Sequence, residues 1–341
     1  MRKVMILDFP SDFLFPPVWY GWIERWLYTM AISFKKLWYK VFLSWPLWRK
    51  EILKWYTFIN NRILDKTKAI EFVKKYWKVD YLVAGHEYWH NKYYREVFEK
   101  LSYKSFTFQH MPNPVYKGKY FDSKKHFLFC YSDEMVERFK LQNPKKSICY
   151  TQWYKEEPIP GENKWYLVWL GRIDQDKALH YAILAAIKLN IPIYVIGKPV
   201  YDTKYYKKYE KLFKHKLVKE LGVLIWEEKM KIIWNAACAV YTLDKNYIES
   251  GVATLWEFIA SWIPVAGISW KWNDCVVEAV WDNFGRVFLG KNRMNDDEVI
   301  DWLVDAINYS LTLDRKFLLK KWQEKFNPVS ILQNMLNMIN D

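Results

Sequence analysis

The sequence predicts an α/β protein made of two Rossmann-like, doubly wound domains. Three observations predict it. Apolar strand-like runs alternate with helical segments almost throughout. The first strand, helix and strand fit within about 40 residues, a βαβ unit that implies parallel pairing and a right-handed crossover. A turn-rich stretch, NPKKSICYTQWYKEEPIPGEN, divides the chain near its middle.

The elements follow in order. KVMILDF reads as a short buried strand. Ile23, Trp26, Leu27, Met30, Ala31 and Phe34 then fall at offsets 0, 3, 4, 7, 8 and 11, one face of a helix. YKVFLS reads as the second strand. DYLVAGH and SFTFQH read as strands ending at His86 and His110. FLFCYS is another, with a helix from Asp133 and Ser132 as its N-cap. In the second half YLVWL, IPIYVIG, GVLIW, CAVYTL and IPVAGI read as strands. KALHYAILAAIKL, the span from Tyr205 to Leu221, EEKMKIIWNA and VATLWEFIAS read as helices. From about Arg315 a long helical pattern runs on with no strand after it. The expected division is a first domain over 1–155, a second over 156–314, and a terminal helix over 315–341 that crosses back to the first domain.

Bulk properties narrow the function classes. At 341 residues, 51% of them hydrophobic, the chain can bury two sizeable cores. Cys130, Cys149, Cys238 and Cys275 are far apart, which argues against a zinc knuckle or a disulfide framework and suits a reducing compartment. VMILDFP is too short for the core of a secretory leader, and no uncharged apolar run approaches a membrane span. A cytoplasmic place is expected. The net charge of +14 favours polyanionic partners such as nucleotides, nucleic acid or an anionic membrane face. The lysines are dispersed, and the denser run from Lys204 to Lys219 reads as a solvated helix face.

Parallel α/β sheets bind ligands in the loops after their strands. LGRIDQDK follows the strand YLVWL: Gly171 ends the strand, Arg172 follows, and Lys177 opens the next helix. A guanidinium and an ammonium converging at a helix N-terminus make a diphosphate site. On spacing alone, the same residues serve equally as surface charges beside a plain turn. ESGVATLWE places Glu249 eight residues before Glu257, with Gly251 between them. Two carboxylates at a sheet's carboxyl edge can accept hydrogen bonds from sugar hydroxyls. A capping residue followed by a solvated glutamate fits the spacing as well.

Together and in this order, these segments resemble the C-terminal domain of GT-B glycosyltransferases, in particular the retaining family 4. That family shows a hydrophobic strand, Gly-Arg, a few residues, Lys, then Glu, seven residues and Glu, followed by a strand like IPVAG. The resemblance covers nearly the whole chain. FPPVWYGWIER is similar to the family's first loop, normally PP…GGIER. FTFQHMP resembles the strand ending in the active-site histidine, and LFCYSDEMVERF the segment closing the first domain.

The resemblance implies two domains facing a cleft, with a nucleotide-sugar donor held mainly by the second. It implies that Arg172 and Lys177 neutralise the leaving diphosphate and that Glu249 orients the transferred sugar. It implies that Glu257 accepts from the ribose, and that Gly171, Gly251, Gly21 and the backbone at Trp22 approach the donor closely. His110 would contact the sugar or line the acceptor side; His86 is a weaker candidate. Glu278 matches a family glutamate but takes no catalytic role here. The implied activity is a hexosyl- or glycosyltransferase of cell-envelope polysaccharide type, moving the sugar to a glycan, lipid or other hydroxyl acceptor. No cofactor or metal is expected beyond the donor itself. The charge permits a lipid-linked acceptor and peripheral contact with the inner face of a membrane. A GT-B fold that has lost activity and serves as a binding or scaffold protein is the first alternative. A nucleic-acid binder is the second, but it would need clustered Lys/Arg or a recognised motif, and no nucleic-acid partner is expected.

One departure is systematic. The chain has 21 Trp and only 11 Gly, where average usage gives roughly 24 glycines. Trp22, Trp38, Trp153, Trp262, Trp272 and Trp281 stand where the family has glycine. Trp19, Trp45, Trp165, Trp226, Trp234 and Trp256 look similar, and with them the glycine count approaches the average. Some bacterial lineages read the codon UGA as glycine, whereas a common alternative table reads it as tryptophan. The expectation is that many of these tryptophans are recoded glycines, at positions that need positive φ or close backbone approach; the alternative is a genuinely Trp-rich protein with bulky replacements there.

Overall fold

The computed structural model describes residues 1–8, 22–44, 56–59, 64–110, 122, 124–148, 164–198, 204–249, 252–271, 273–280, 284–291 and 293–341; of Trp22, Trp226 and Ala253 it describes the backbone alone. The chain forms two compact units, Met1–Lys155 with Phe326–Asp341, and Glu156–Lys325.

In the first unit, β1 (Lys3–Leu7), β2 (Lys40–Ser44), β3 (Thr57–Ile59), β4 (Val79–Ala84), β5 (Ser102–Phe108), β6 (His126–Cys130) and β7 (Lys145–Lys146) form a parallel sheet in the order β3-β2-β1-β4-β5-β6-β7. β1 and β6 are apolar runs because parallel strands are covered on both faces. Helix α1 (Trp22–Lys36) buries Trp26, Leu27, Met30, Ala31 and Phe34, the face expected from their spacing. Its Thr29 and Ser33 hydroxyls donate to carbonyls one turn back, at 2.9 and 2.8 Å, so these polar side chains are satisfied inside the layer. Asp65 caps α2 (Lys66–Tyr76) and Asn91 caps α3 (Lys92–Leu101). Ser132 caps α4 (Asp133–Arg138) by accepting from the Met135 N–H, the role its sequence context predicts.

In the second unit, β8 (Leu167–Leu170), β9 (Ile193–Ile196), β10 (Val218–Gly222), β11 (Cys238–Tyr241), β12 (Val265–Trp270) and β13 (Gly285–Gly290) form a parallel sheet in the order β10-β9-β8-β11-β12-β13. The order reverses between β8 and β11, and the carboxyl ends of those strands frame the crevice where such sheets bind ligands. Between the strands run α5 (Leu179–Leu189), α6 (Lys204–Phe213), α7 (Trp226–Asn235), α8 (Ala253–Ala260) and α9 (Asp274–Val280). Helix α10 (Asp296–Leu311), opened by a capping box of Asn295 and Glu298, packs on α5, β12 and β13. A Cβ on Gly197 would stand 1.8 Å from the Gly171 carbonyl oxygen, so the ends of β8 and β9 approach as only glycine allows.

Two sequence expectations are corrected. The helix expected from Tyr205 to Leu221 ends at Phe213, and strand β10 occupies Val218–Gly222 instead of GVLIW. β10 is the sheet's edge, where charged residues are tolerated and blunt further pairing, so its polar VKELG hid a strand. The long C-terminal helix is two, α11 (Arg315–Lys325) and α12 (Pro328–Asn340). Pro328 disfavours helical backbone at Asn327, whose side chain then caps α12 through the Val329 and Ser330 N–H groups. Helix α12 belongs to the first unit: it packs on α1, and its Asn340 exchanges hydrogen bonds with the Tyr81 hydroxyl. No helix among the described residues is long and apolar enough to cross a membrane.

Three tryptophans hold left-handed backbone. Trp38 (φ 62°), Trp77 (φ 66°) and Trp262 (φ 54°) each follow a helix. After α1, the Tyr39 N–H donates to the Phe34 carbonyl; after α8, the Ile263 N–H donates to the Phe258 carbonyl. This is the Schellman arrangement, in which the left-handed residue is usually glycine. Trp38 and Trp262 were expected there from sequence, and Trp77 was not. By contrast Trp234 and Trp256 lie inside α7 and α8 without positive φ, and Trp165 lacks it too, so the backbone gives no reason for glycine at these three. Trp19, Trp45, Trp153, Trp272 and Trp281 lie outside the described residues.

Candidate active site

The loop after β8 is built by its own acidic residues. Asp174 accepts from the Lys177 N–H at 3.1 Å, and the Asp244 N–H donates to the Asp176 carbonyl at 2.8 Å. The Thr242 hydroxyl donates to the Lys177 carbonyl at 2.8 Å. These bonds fasten the β8 loop to the one after β11, across the point where strand order reverses. Ala178, at φ 44°, then turns the chain into α5.

The Lys177 ammonium, held by this loop, forms an ion pair with Glu249 Oε2. Both side chains are largely withdrawn from solvent, at 15% and 7% exposure. The Tyr241 hydroxyl donates to the same Glu249 oxygen at 2.8 Å. The Glu249 N–H donates to Asn273 Oδ1 at 2.6 Å, and Asn273 Nδ2 donates to the Tyr247 carbonyl at 2.9 Å. The Lys177 ammonium also lies 4.8 Å from the Tyr247 ring centre, within cation–π range. Burial acts to lower the Lys177 pKa, but Glu249 and Tyr247 outweigh it and the net direction is up. Tyr241 is pushed well above its ordinary value, by burial first and by Glu249 next, so it stays a hydroxyl.

Arg172 is more open, at 55% exposure, and pairs with Asp174 at 2.9 Å and Asp176 at 3.1 Å. Burial opposes its charge, yet the two aspartates and Tyr247 raise its pKa. It lies within electrostatic reach of Lys177. Arg172, Lys177 and Glu249 therefore share one neighbourhood, with Gly171 at its base. Glu257 sits on α8 and pairs with Lys229 of α7 at 2.7 Å, both side chains buried.

In the first unit His110 is buried at the end of β5. Its Nδ1 lies 2.8 Å from the Tyr131 hydroxyl, and its ring stands edge-on to Trp26 at 5.4 Å and to His86 at 6.0 Å. Burial, with a smaller push from His86, lowers its pKa far below the ordinary histidine value, so it is neutral. His110 Nε2 has no hydrogen-bond partner among the described residues. His86 is lowered in the same direction, also by burial. Alongside, the Tyr88 hydroxyl donates to buried Asp8, and Gln109 donates to buried Glu87 at 3.3 Å. Gly21 and Gly251 lie outside the described residues, and Trp22 opens α1 with only its backbone described. Among the described residues no cluster of three His, Cys, Asp or Glu could hold a metal ion.

Sequence reasoning missed Tyr241, Tyr247, Asn273 and Lys229. Asn273 and Lys229 come from distant segments with no motif of their own. Tyr241 and Tyr247 flank the DKN turn just before Glu249, where aromatic residues read as ordinary core.

No protein-family profile matches the chain, and no curated protein matches it by sequence. Solved structures do match over its whole length. AviGT4, a glycosyltransferase involved in avilamycin A biosynthesis, is 16% identical with a TM-score of 0.68, covering 100% of this chain and 97% of its own. The lipopolysaccharide outer core galactosyltransferase WaaB is 14% identical with a TM-score of 0.68, covering 99% of each chain. A glycosyltransferase from Rickettsia africae is 16% identical with a TM-score of 0.67, covering 99% of this chain and 98% of its own. The fold is that of these proteins, the GT-B fold, as the resemblance implies.

Proposed function

We propose that the protein is a glycosyltransferase that takes a sugar from a nucleoside-diphosphate donor and passes it to a hydroxyl acceptor, with retention. The observation that carries this reading is the buried Lys177–Glu249 pair, beside Arg172, at the carboxyl ends of β8 and β11. A cation at the donor diphosphate stabilises the negative charge that builds as the sugar–phosphate bond breaks. Preorganised charge of this kind contributes several kcal/mol. In this reading Lys177 and Arg172 face the diphosphate, Glu249 orients the sugar, and Glu257 accepts from the ribose. Neutral His110 offers Nε2 to a hydroxyl on the sugar or acceptor side. As the sugar carbon leaves the diphosphate oxygen, the acceptor oxygen bonds to it on the same face, and the acceptor proton passes to the departing phosphate. No step calls for a metal.

The likeness to AviGT4, WaaB and the lipopolysaccharide-biosynthesis glycosyltransferase WaaG supports a sugar-transfer reading, and the two lipopolysaccharide enzymes favour a cell-envelope glycan as acceptor. The net charge of +14, with a surface hollow lined by Ile70, Val73, Lys74, Lys78, Glu99 and Lys100, favours peripheral contact with an anionic membrane face. Calorimetry with UDP-, GDP- and ADP-sugars tests the donor reading. One class should bind at micromolar to millimolar strength, and failure of all three would remove the reading.

The recoding of UGA as glycine is proposed with it. Left-handed backbone at Trp38, Trp77 and Trp262 supports it. So does Trp262 itself: buried at 6% exposure, its indole N–H finds no acceptor among the described residues, an arrangement that costs free energy. Gene sequencing decides it. TGA is expected at these three positions, and TGG there would end the proposal.

A further inference from the structure

We propose that Lys229 is a positioning residue that holds the Glu257 carboxylate ready for the donor ribose; this rests on the reading of Glu257 as the group that accepts from the ribose hydroxyls. The Lys229 ammonium stands 2.7 Å from Glu257 Oε2, and the two side chains are 7% and 8% exposed. The helices that carry them are deeply packed. Met230 and Ile233 on α7, and Leu255, Phe258 and Ile259 on α8, are buried to within 1% of complete. Withdrawing two opposite charges from water together is costly, and apolar residues of the same volume often serve stability as well or better. A pair kept at that depth points to a task beyond holding two helices together.

The task follows from the chemistry. Burial alone drives a carboxyl group towards its neutral form, and a cation in contact holds it ionised. An ionised carboxylate accepts stronger hydrogen bonds from hydroxyls than a neutral acid does. Its two oxygens carry lone pairs for several donors, so a carboxylate can serve an ammonium and a sugar hydroxyl at once. The arrangement repeats that at the other glutamate. Glu249 is held by Lys177 from the loop after β8, and Glu257 by Lys229 from α7. Each acidic residue of the Glu249…Glu257 spacing thus has a lysine supplied by a different element.

Calorimetry on the full chain with UDP, GDP and ADP and their 2′,3′-dideoxy counterparts tests this. The wild type should prefer the ribonucleotide, and Glu257→Gln should erase the preference. Lys229→Met should weaken ribonucleotide binding roughly tenfold or more while leaving the dideoxy form nearly unchanged. Lys229→Arg should restore most of the preference. In Lys229→Met the acid limb of ribonucleotide affinity should move to higher pH, because the carboxylate has lost its counter-charge. Plain damage to the fold would weaken both ligands alike and move no limb. The double variant Lys229→Met/Glu257→Gln leaves no lone buried charge and should bind like Glu257→Gln alone. If Lys229→Met does not stay folded, Lys229→Gln is read by the same criteria. A neutral variant that keeps both the preference and the acid limb overturns the proposal and leaves the Glu257 reading standing. A wild type without the preference, or a Glu257→Gln that keeps it, overturns the role of Glu257 and this inference with it. If none of the nucleotides binds the wild type, the donor site itself is refuted.

Discussion

At the scale of single residues, two features have measurable consequences. Trp38 lies at φ 62° with 85% of its surface exposed, so its side chain gains little from packing while its backbone sits where glycine is favoured. Trp38→Gly should stabilise the protein by about 1 kcal/mol. In thermal melts the transition should rise by roughly 2–4 °C; an unchanged or lower midpoint would contradict the strain argument. Trp77→Gly, 76% exposed at φ 66°, should behave alike. The other feature is the Lys177 charge. Its pKa is raised in the fold, so whatever the pair contributes is fully present below the ordinary lysine value and is lost only as pH climbs through the raised one. The ratio of wild-type to Lys177→Met donor affinity should therefore stay flat over roughly pH 6 to 9. A ratio that collapses within that span would show that Lys177 is not held charged.

At the scale of elements, α5 carries a built-in acid sensitivity. Burial lowers the pKa of His180 to about 4, with Asp296 pulling weakly the other way. A folded value below the unfolded one means that the neutral form's contribution is present above roughly pH 6.5 and fades as pH falls towards the folded value. Denaturant melts between neutral pH and about 4 should show stability falling, this one group adding up to about 1.4 kcal/mol per pH unit. His180→Phe, which keeps a ring to stack on Tyr209, should flatten that slope; an unaltered slope would assign the sensitivity elsewhere. The elements also show what a sequence discloses. β1, β8 and β11 are legible as short apolar runs and α1 by its repeating apolar spacing, whereas Arg172, Lys177 and Glu249 stand out through the family resemblance, their spacing alone fitting surface charges as well. β10 was not legible, because an edge strand carries lysine and glutamate that mimic a helix face. Lys229 was not, because a lysine between Glu228 and Met230 becomes informative only when folding sets Glu257 against it. Trp77 was missed because the segments carrying the family resemblance do not include α2.

At the scale of the whole molecule, two sheets of related build carry different chemistry at their carboxyl edges. The second unit gathers a permanent charge pair, and the first a neutral histidine among buried acids and hydroxyls. That division suits a donor diphosphate on one and uncharged hydroxyl groups on the other. Fold alone does not fix activity, so the weight falls on the charged residues after β8 and β11. The most direct measurement is release of nucleoside diphosphate from UDP-, GDP- and ADP-sugars by the wild type and by Lys177→Met. The account predicts release from one donor class, with kcat/KM falling roughly 10²–10³-fold in the variant. Equal rates in the two proteins, or no release from any donor, would contradict it.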